Sequence, residues 1–200
     1  MGMAERRQRQ KQALREEILA AARDLFARQG YESVSMRKIA EKIEYSPTTI
    51  YLYFKDKEEI IEQVCQHTFV LLSQKLTEVL ASETEPIARL KKGLRAYIEF
   101  GLHYPVHYRV ALMLPVDKEH HHYQESEGRK SFEFLVCSVT ACVEAGLFRE
   151  TDVTAISQIL WTAIHGVTSL LITQGEGFPW IERNRLIDMA IDNAVRGFLK

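Results

Sequence analysis

Apolar residues return along the first thirty positions at the 3.6-residue spacing of an amphipathic helix: Leu14, Ile18, Ala21, Ala22, Leu25 and Phe26 share one stripe, and Gly30 stands where a left-handed stop belongs. Ser35, a good N-cap, opens a shorter segment whose buried face is Met36, Ile39, Ala40 and Ile43. Ser46 followed by Pro47 repeats the signal and predicts a third helix from Pro47 to about Tyr53, docked through Ile50 and Phe54, with Leu52 also assigned to the core. Asp56 with Glu59 three residues on resembles a capping box. It opens a long fourth helix carrying Ile61, Val64, Cys65, Phe69, Leu72, Leu76, Val79 and Leu80 inward.

The first polar break is "SETEP" at 82–86. Beyond it the pattern predicts a helix through Ile87, Leu90, Leu94 and Ile98, and a short one between Pro105 and Pro115. A polar loop with His120, His121 and His122 follows, then helices over about 128–145, from Asp152 to Gly175, and over about 181–199. Period-two alternation over a strand's length is missing, so the fold class is all-α with about nine helices.

Length and apolar content allow one domain or two small ones with a sizeable core. The N-terminal run Arg6, Arg7, Arg9 and Lys11 lacks the apolar segment of a signal peptide, and no unbroken apolar run of about eighteen residues offers a membrane span. A cytoplasmic protein is expected. Cys65, Cys137 and Cys142 lie in apolar helical patterns without Cys-x-x-Cys spacing, which reads as three reduced core residues. Charge is uneven: residues 1–55 hold eleven Lys/Arg against seven Asp/Glu, and residues 56–200 hold fifteen against twenty. A basic N-terminal quarter on an acidic remainder suits a nucleic-acid module joined to a body that does not touch phosphates.

Two short helices separated by "EYS" fit a helix-turn-helix, whose second helix enters the major groove. That explains an otherwise odd composition. Thr48 and Thr49 place hydroxyls at the N-terminal turn, Tyr51 and Tyr53 add phenols, and Lys57 supplies a cation beside the same strand. Tyr51 and Tyr53, two apart on a helix, cannot both share the buried side with Phe54. The block from Ala21 to Ile61, with Phe26, Gly30 and Tyr31 at its corner, the Ile39-Ala40 pair and the run Ile50, Tyr51, Tyr53, Phe54, Lys57, resembles the DNA-binding head of the TetR family over about residues 14–62. The resemblance implies Ser35, Tyr51 and Lys57 as phosphate contacts and Arg37, Thr48, Thr49 and Tyr53 as base or mixed contacts on double-stranded DNA. Glu44 departs from the glycine common after the second helix, and a left-handed residue there would cost about 1 kcal/mol.

The resemblance divides the chain into a basic arm (1–11), a helix-turn-helix domain (12–58) and an effector-binding and dimerisation domain (59–200). The arm could enter a minor groove or remain a solvated tail. "ILWTAIHGVTSLLI" at 159–172 is apolar nearly all round, and the last helix carries apolar residues on two sides, so these two helices are expected to form a homodimer interface. Trp161, His165 and Gly166 resemble the Trp-x-x-x-His-Gly subgroup of TetR C-terminal domains; His165 reads as a structural histidine or a ligand contact, and Gly166 as a site of close helix packing. Candidates for an effector pocket are Tyr97, Phe100, Tyr104, Tyr108, Met113, Phe132 and Leu135, with Trp161 and His165, although an ordinary core needs the same side chains. His103 and His107 have an i, i+4 spacing that Pro105 disturbs, and histidines on a polar loop diverge, so solvated histidines and no metal site are expected.

The function implied is a ligand-responsive regulator, a repressor released from a palindromic operator by a small apolar or amphipathic effector, without cofactor and away from membranes. A helical interaction protein that no longer binds DNA is the rival. An enzyme is disfavoured by the lack of Gly-x-Ser-x-Gly, P-loop, dinucleotide-glycine or His-Glu-x-x-His patterns.

Overall fold

The computed structural model describes residues 2–114, 127–174 and 177–200. Among them the fold is all-α, with nine α-helices, one π-helical turn and a single isolated β-bridge. The chain divides into two compact units, Met1–Thr68 with Val106–Val116, and Phe69–Pro105 with Asp117–Lys200.

In the first unit, α1 (Met3–Gln29) buries Ile18, Ala21, Ala22 and Phe26 and ends at Gly30, whose φ of 78° and N–H bond to the Phe26 carbonyl match the stop expected there. The Ser35 hydroxyl accepts from the Lys38 N–H at the start of α2 (Met36–Lys42), and the Ser46 hydroxyl accepts from the Thr49 N–H at the start of α3 (Pro47–Tyr51). Asp56 accepts from the Glu59 N–H at the start of α4 (Lys57–Ser82), while the Glu59 carboxylate accepts from the Lys55 N–H. Ile39, Ile50, Phe54 and Ile60 close the core with Phe26 and the fully buried Tyr108.

Helix α3 ends two residues earlier than the periodicity predicts. The amides of Tyr53 and Phe54 both return to the Ile50 carbonyl, which turns the chain and keeps Phe54 inside. Leu52 is thrown outward and is 74% exposed, so its assignment to the core was wrong.

The second unit is a bundle in which α5 (Pro86–His103) packs on α7 (Glu127–Glu144), α8 (Val153–Gln174) and α9 (Arg183–Arg196), with α8 also touching α7 and α9. Helix α6 (Pro105–Tyr108) runs into the π-turn Arg109–Met113, which belongs to the first unit and packs there on α1. The Asp152 carboxylate accepts from the Ala155 N–H and starts α8 as predicted. By length and composition α8 could cross a bilayer, a feature missed by looking for unbroken apolar runs. Its Ile156, Leu160, Ile164, Thr168 and Leu171 row is nevertheless buried in the bundle. Ion pairs from Lys91 to Asp192 (2.8 Å) and from Arg95 to Asp188 tie α5 to α9. Helix α9 stops at Arg196 rather than near 199, because the chain end is held by the Phe148–Leu199 bridge, in which the Arg149 N–H donates to the Phe198 carbonyl.

Cys65 and Cys142 are buried, and burial pushes their thiols up to about 12 and about 11; Cys137 is exposed on α7, contrary to its reading as a core residue. The His120–His122 run lies outside the described residues.

Candidate nucleic-acid interface and effector site

Helix α3 is five residues long, and its two sides differ sharply. Ile50 is fully buried, whereas Thr48, Tyr51 and Leu52, related by i, i+3 and i+4 spacing, are exposed together. Tyr53 and Thr49 are half-buried, and the Thr49 hydroxyl lies 2.9 Å from the Ser46 hydroxyl. Ser35 and Arg37 are exposed at the start of α2, with the Arg37 Nε donating to Glu41 at 2.8 Å. The turn between α2 and α3 is built from backbone bonds: the Tyr45 N–H donates to the Ala40 carbonyl (3.0 Å) and the Glu44 N–H to the Glu41 carbonyl (3.3 Å). This is a Schellman closure, which needs a left-handed residue, and Glu44 supplies it at φ 60°.

Lys57 is less free than sequence reasoning suggests. Its ammonium sits 3.9 Å from the centroid of the Tyr31 ring and donates to the Tyr31 carbonyl at 3.1 Å, while the Tyr31 hydroxyl donates to Glu58 at 2.8 Å. Burial and that carboxylate raise the Tyr31 phenol above its ordinary value. The clasp joins the corner after α1 to the start of α4. Tyr31 and Lys57 are separated by twenty-six positions, and only their shared place in the family pattern hinted at a relation.

Also in the first unit, His107 is buried, not solvated. Its Nδ1 lies 3.0 Å from the Thr68 hydroxyl, which itself donates to the Val64 carbonyl at 2.8 Å. The Thr68 oxygen therefore accepts, and the histidine proton is on Nδ1. Burial above all, then Arg23 and His67, pushes His107 down to about 4. Among the described residues no group of three or more His, Cys, Asp or Glu could hold a metal ion.

In the second unit four of the predicted pocket residues meet. The Trp161 Nε1–H donates to the Tyr97 hydroxyl at 3.2 Å, and that hydroxyl lies 3.2 Å from His165 Nδ1. Indole only donates, so the phenol accepts from Trp161 and has its own proton for His165. The Phe132 ring stands edge-on to Trp161 at 6.0 Å, and burial lowers the His165 pKa. Phe100 is buried beside the more exposed Tyr104, with rings 5.2 Å apart, and Leu135 is half-buried. Tyr108 and Met113 belong to the first unit and do not join this group. Among the described residues a Cβ added at Gly166 would meet nothing within 4 Å, so packing among them does not require this glycine.

Residues 18–64, which hold α2, α3 and the turn between them, match the family described as "Bacterial regulatory proteins, tetR family", and residues 90–194, over half of the chain, match "Tetracyclin repressor-like, C-terminal domain". The chain belongs to the TetR family. Among curated relatives, an uncharacterized HTH-type transcriptional regulator of Haemophilus influenzae is 38% identical over 73 residues, covering 36% of this chain and 38% of the relative. HbdR of Aromatoleum sp., also an HTH-type transcriptional regulator, is 31% identical over 83 residues, covering 42% of this chain and 36% of that protein. The matched region thus spans well under half of these relatives' length. The solved ketosteroid transcriptional regulator KstR2 of Mycobacterium tuberculosis superposes with a TM-score of 0.71 at 20% identity, covering 93% of this chain and 95% of that one. At that identity the likeness shows the TetR fold. The Trp-x-x-x-His-Gly subgroup finds no separate support among these matches.

Proposed function

We propose that this TetR-family protein is a ligand-responsive, sequence-specific DNA-binding regulator, a repressor released from a palindromic operator by a small apolar or amphipathic effector. The observation that carries the reading is the two-sided α3: Ile50 anchors it in the core while Thr48, Tyr51 and Leu52 face outward together. Ser35, Tyr51 and Lys57 would bond phosphates, and Arg37, Thr48, Thr49 and Tyr53 would contact bases or base and backbone together. Residues 12–58 form the DNA-binding domain, preceded by the basic arm 1–11, and 59–200 the effector-binding and dimerisation domain.

Two copies pair through α8 and α9, where Ile159, Leu170 and Met189 leave apolar surface uncovered in the single chain. The effector site centres on Tyr97, Phe132, Trp161 and His165, which combine aromatic walls with a hydrogen-bonded trio. The effector would act by preferring a dimer in which the two α3 helices no longer match successive major grooves. The protein works in the cytoplasm, on double-stranded DNA rather than a membrane, with neither catalytic activity nor cofactor.

Selection of bound duplexes from a random pool by the full chain, near physiological salt, tests this. A palindromic consensus is expected. No enrichment by a folded, dimeric protein would overturn the reading in favour of an interaction protein.

A further inference from the structure

The described large apolar side chains left exposed in the first unit are few: Met3 near the chain start, then Tyr45, Tyr51 and Leu52 within eight residues around α3. Leu52 is the one without a polar atom in that cluster, and it is more exposed than Tyr45 or Tyr51. The local backbone holds it there, since the Leu52 N–H donates to the Thr49 carbonyl and the next two amides fold back to Ile50. Burying Phe54 and exposing Leu52 are therefore one geometric event. Thr48 and Tyr51 flank it on the same face, giving a small apolar knob between two hydroxyl-bearing side chains.

In a major groove the apolar feature on a base edge is the thymine 5-methyl group. Residues 1–55, the segment that contains α3, carry a net charge of +4, a sign that favours approach to phosphates, whereas residues 56–200 carry −5. A solvated aliphatic knob on the basic segment has a complementary occupant there. We propose that Leu52 is a specificity-determining residue that reads a thymine by packing on its 5-methyl group. The proposal rests on the DNA-binding reading above.

The test starts from a duplex selected by the wild-type chain and replaces each thymine of one half-site, singly, with deoxyuridine, which removes only the methyl. In the wild type one position should lose affinity about fourfold, the value of one methyl taken out of water. In Leu52→Ala and Leu52→Gln the same replacement should change affinity less than about 1.5-fold, because the partner surface has gone. Being solvent-exposed, Leu52 can be changed without disturbing the core. Equal deoxyuridine sensitivity in wild type and variants overturns the proposal, as does uniform weakening of all duplexes by Leu52→Ala, which would mean packing on the sugar-phosphate backbone. Failure of the wild type to select any duplex overturns the DNA-binding reading itself, so the two failures are distinguishable.

Discussion

Glu44 occupies a backbone position built for glycine, and the cost can be worked out. Its φ of 60° is the left-handed conformation that closes the Schellman turn after α2, locked by the Tyr45-to-Ala40 and Glu44-to-Glu41 bonds. An L-residue held there is strained by about 1–2 kcal/mol, and glycine gives back about 0.5–1 kcal/mol through the greater entropy of its unfolded chain. A carboxylate at a helix C-terminus adds about 0.3–1 kcal/mol of unfavourable dipole interaction. Glu44→Gly should therefore stabilise the protein by about 1 kcal/mol. Glu44→Gln isolates the charge, Glu44→Asn adds a residue that tolerates the left-handed region, and Glu44→Val should be worst because a branched Cβ crowds the preceding carbonyl. Urea denaturation measures the series, and hydrogen exchange of the Tyr45 amide reports the turn locally. The expected order is Gly, Asn, Gln, Glu, Val, from most to least stable. If Glu44→Gly is no more stable than Glu44→Gln, backbone strain is not what this turn stores.

The buried neutral His107 makes stability depend on pH. Its folded pKa of about 4 lies below its ordinary 6.5, so the unfolded chain binds more protons between those values and stability falls as pH drops through that window, by about 1–2 kcal/mol from pH 8 to pH 5; His107→Gln should flatten that slope in urea titrations. Ile50→Ala should cost about 2–4 kcal/mol and loosen α3, seen as faster amide exchange at Tyr53 and Phe54, because the side chain is fully buried. Tyr97→Phe leaves the Trp161 indole and His165 without their shared phenol and should cost about 1–2 kcal/mol with a shift in Trp161 emission, read in a Trp180→Phe background. Tyr51→Phe with Lys57→Ala should weaken binding to all selected duplexes alike and flatten its salt dependence, whereas Arg37→Ala or Thr49→Ala should relax sequence preference.

What the sequence determined alone is what depends on neighbours a few residues away. The 3.6-residue stripes, the Ser35, Ser46 and Asp152 caps, the Gly30 stop and the strain anticipated at Glu44 are each set within one or two turns of chain, so they were legible before any fold was known. The family pattern around Phe26, Ile39 and Tyr51 was legible for the same reason, being a run of local spacings. Tertiary structure alone decided which way ambiguous side chains face. Leu52 looked like core until the turn that buries Phe54 pushed it into solvent, and Cys137 lies in an apolar stretch but on the outer side of α7. His107 meets Thr68 across thirty-nine positions and Lys57 meets Tyr31 across twenty-six, while α9 gives up its last turn to a bridge with Phe148. Each of these outcomes depends on which remote parts of the chain arrive to exclude water or to supply a partner, which periodicity and capping do not encode.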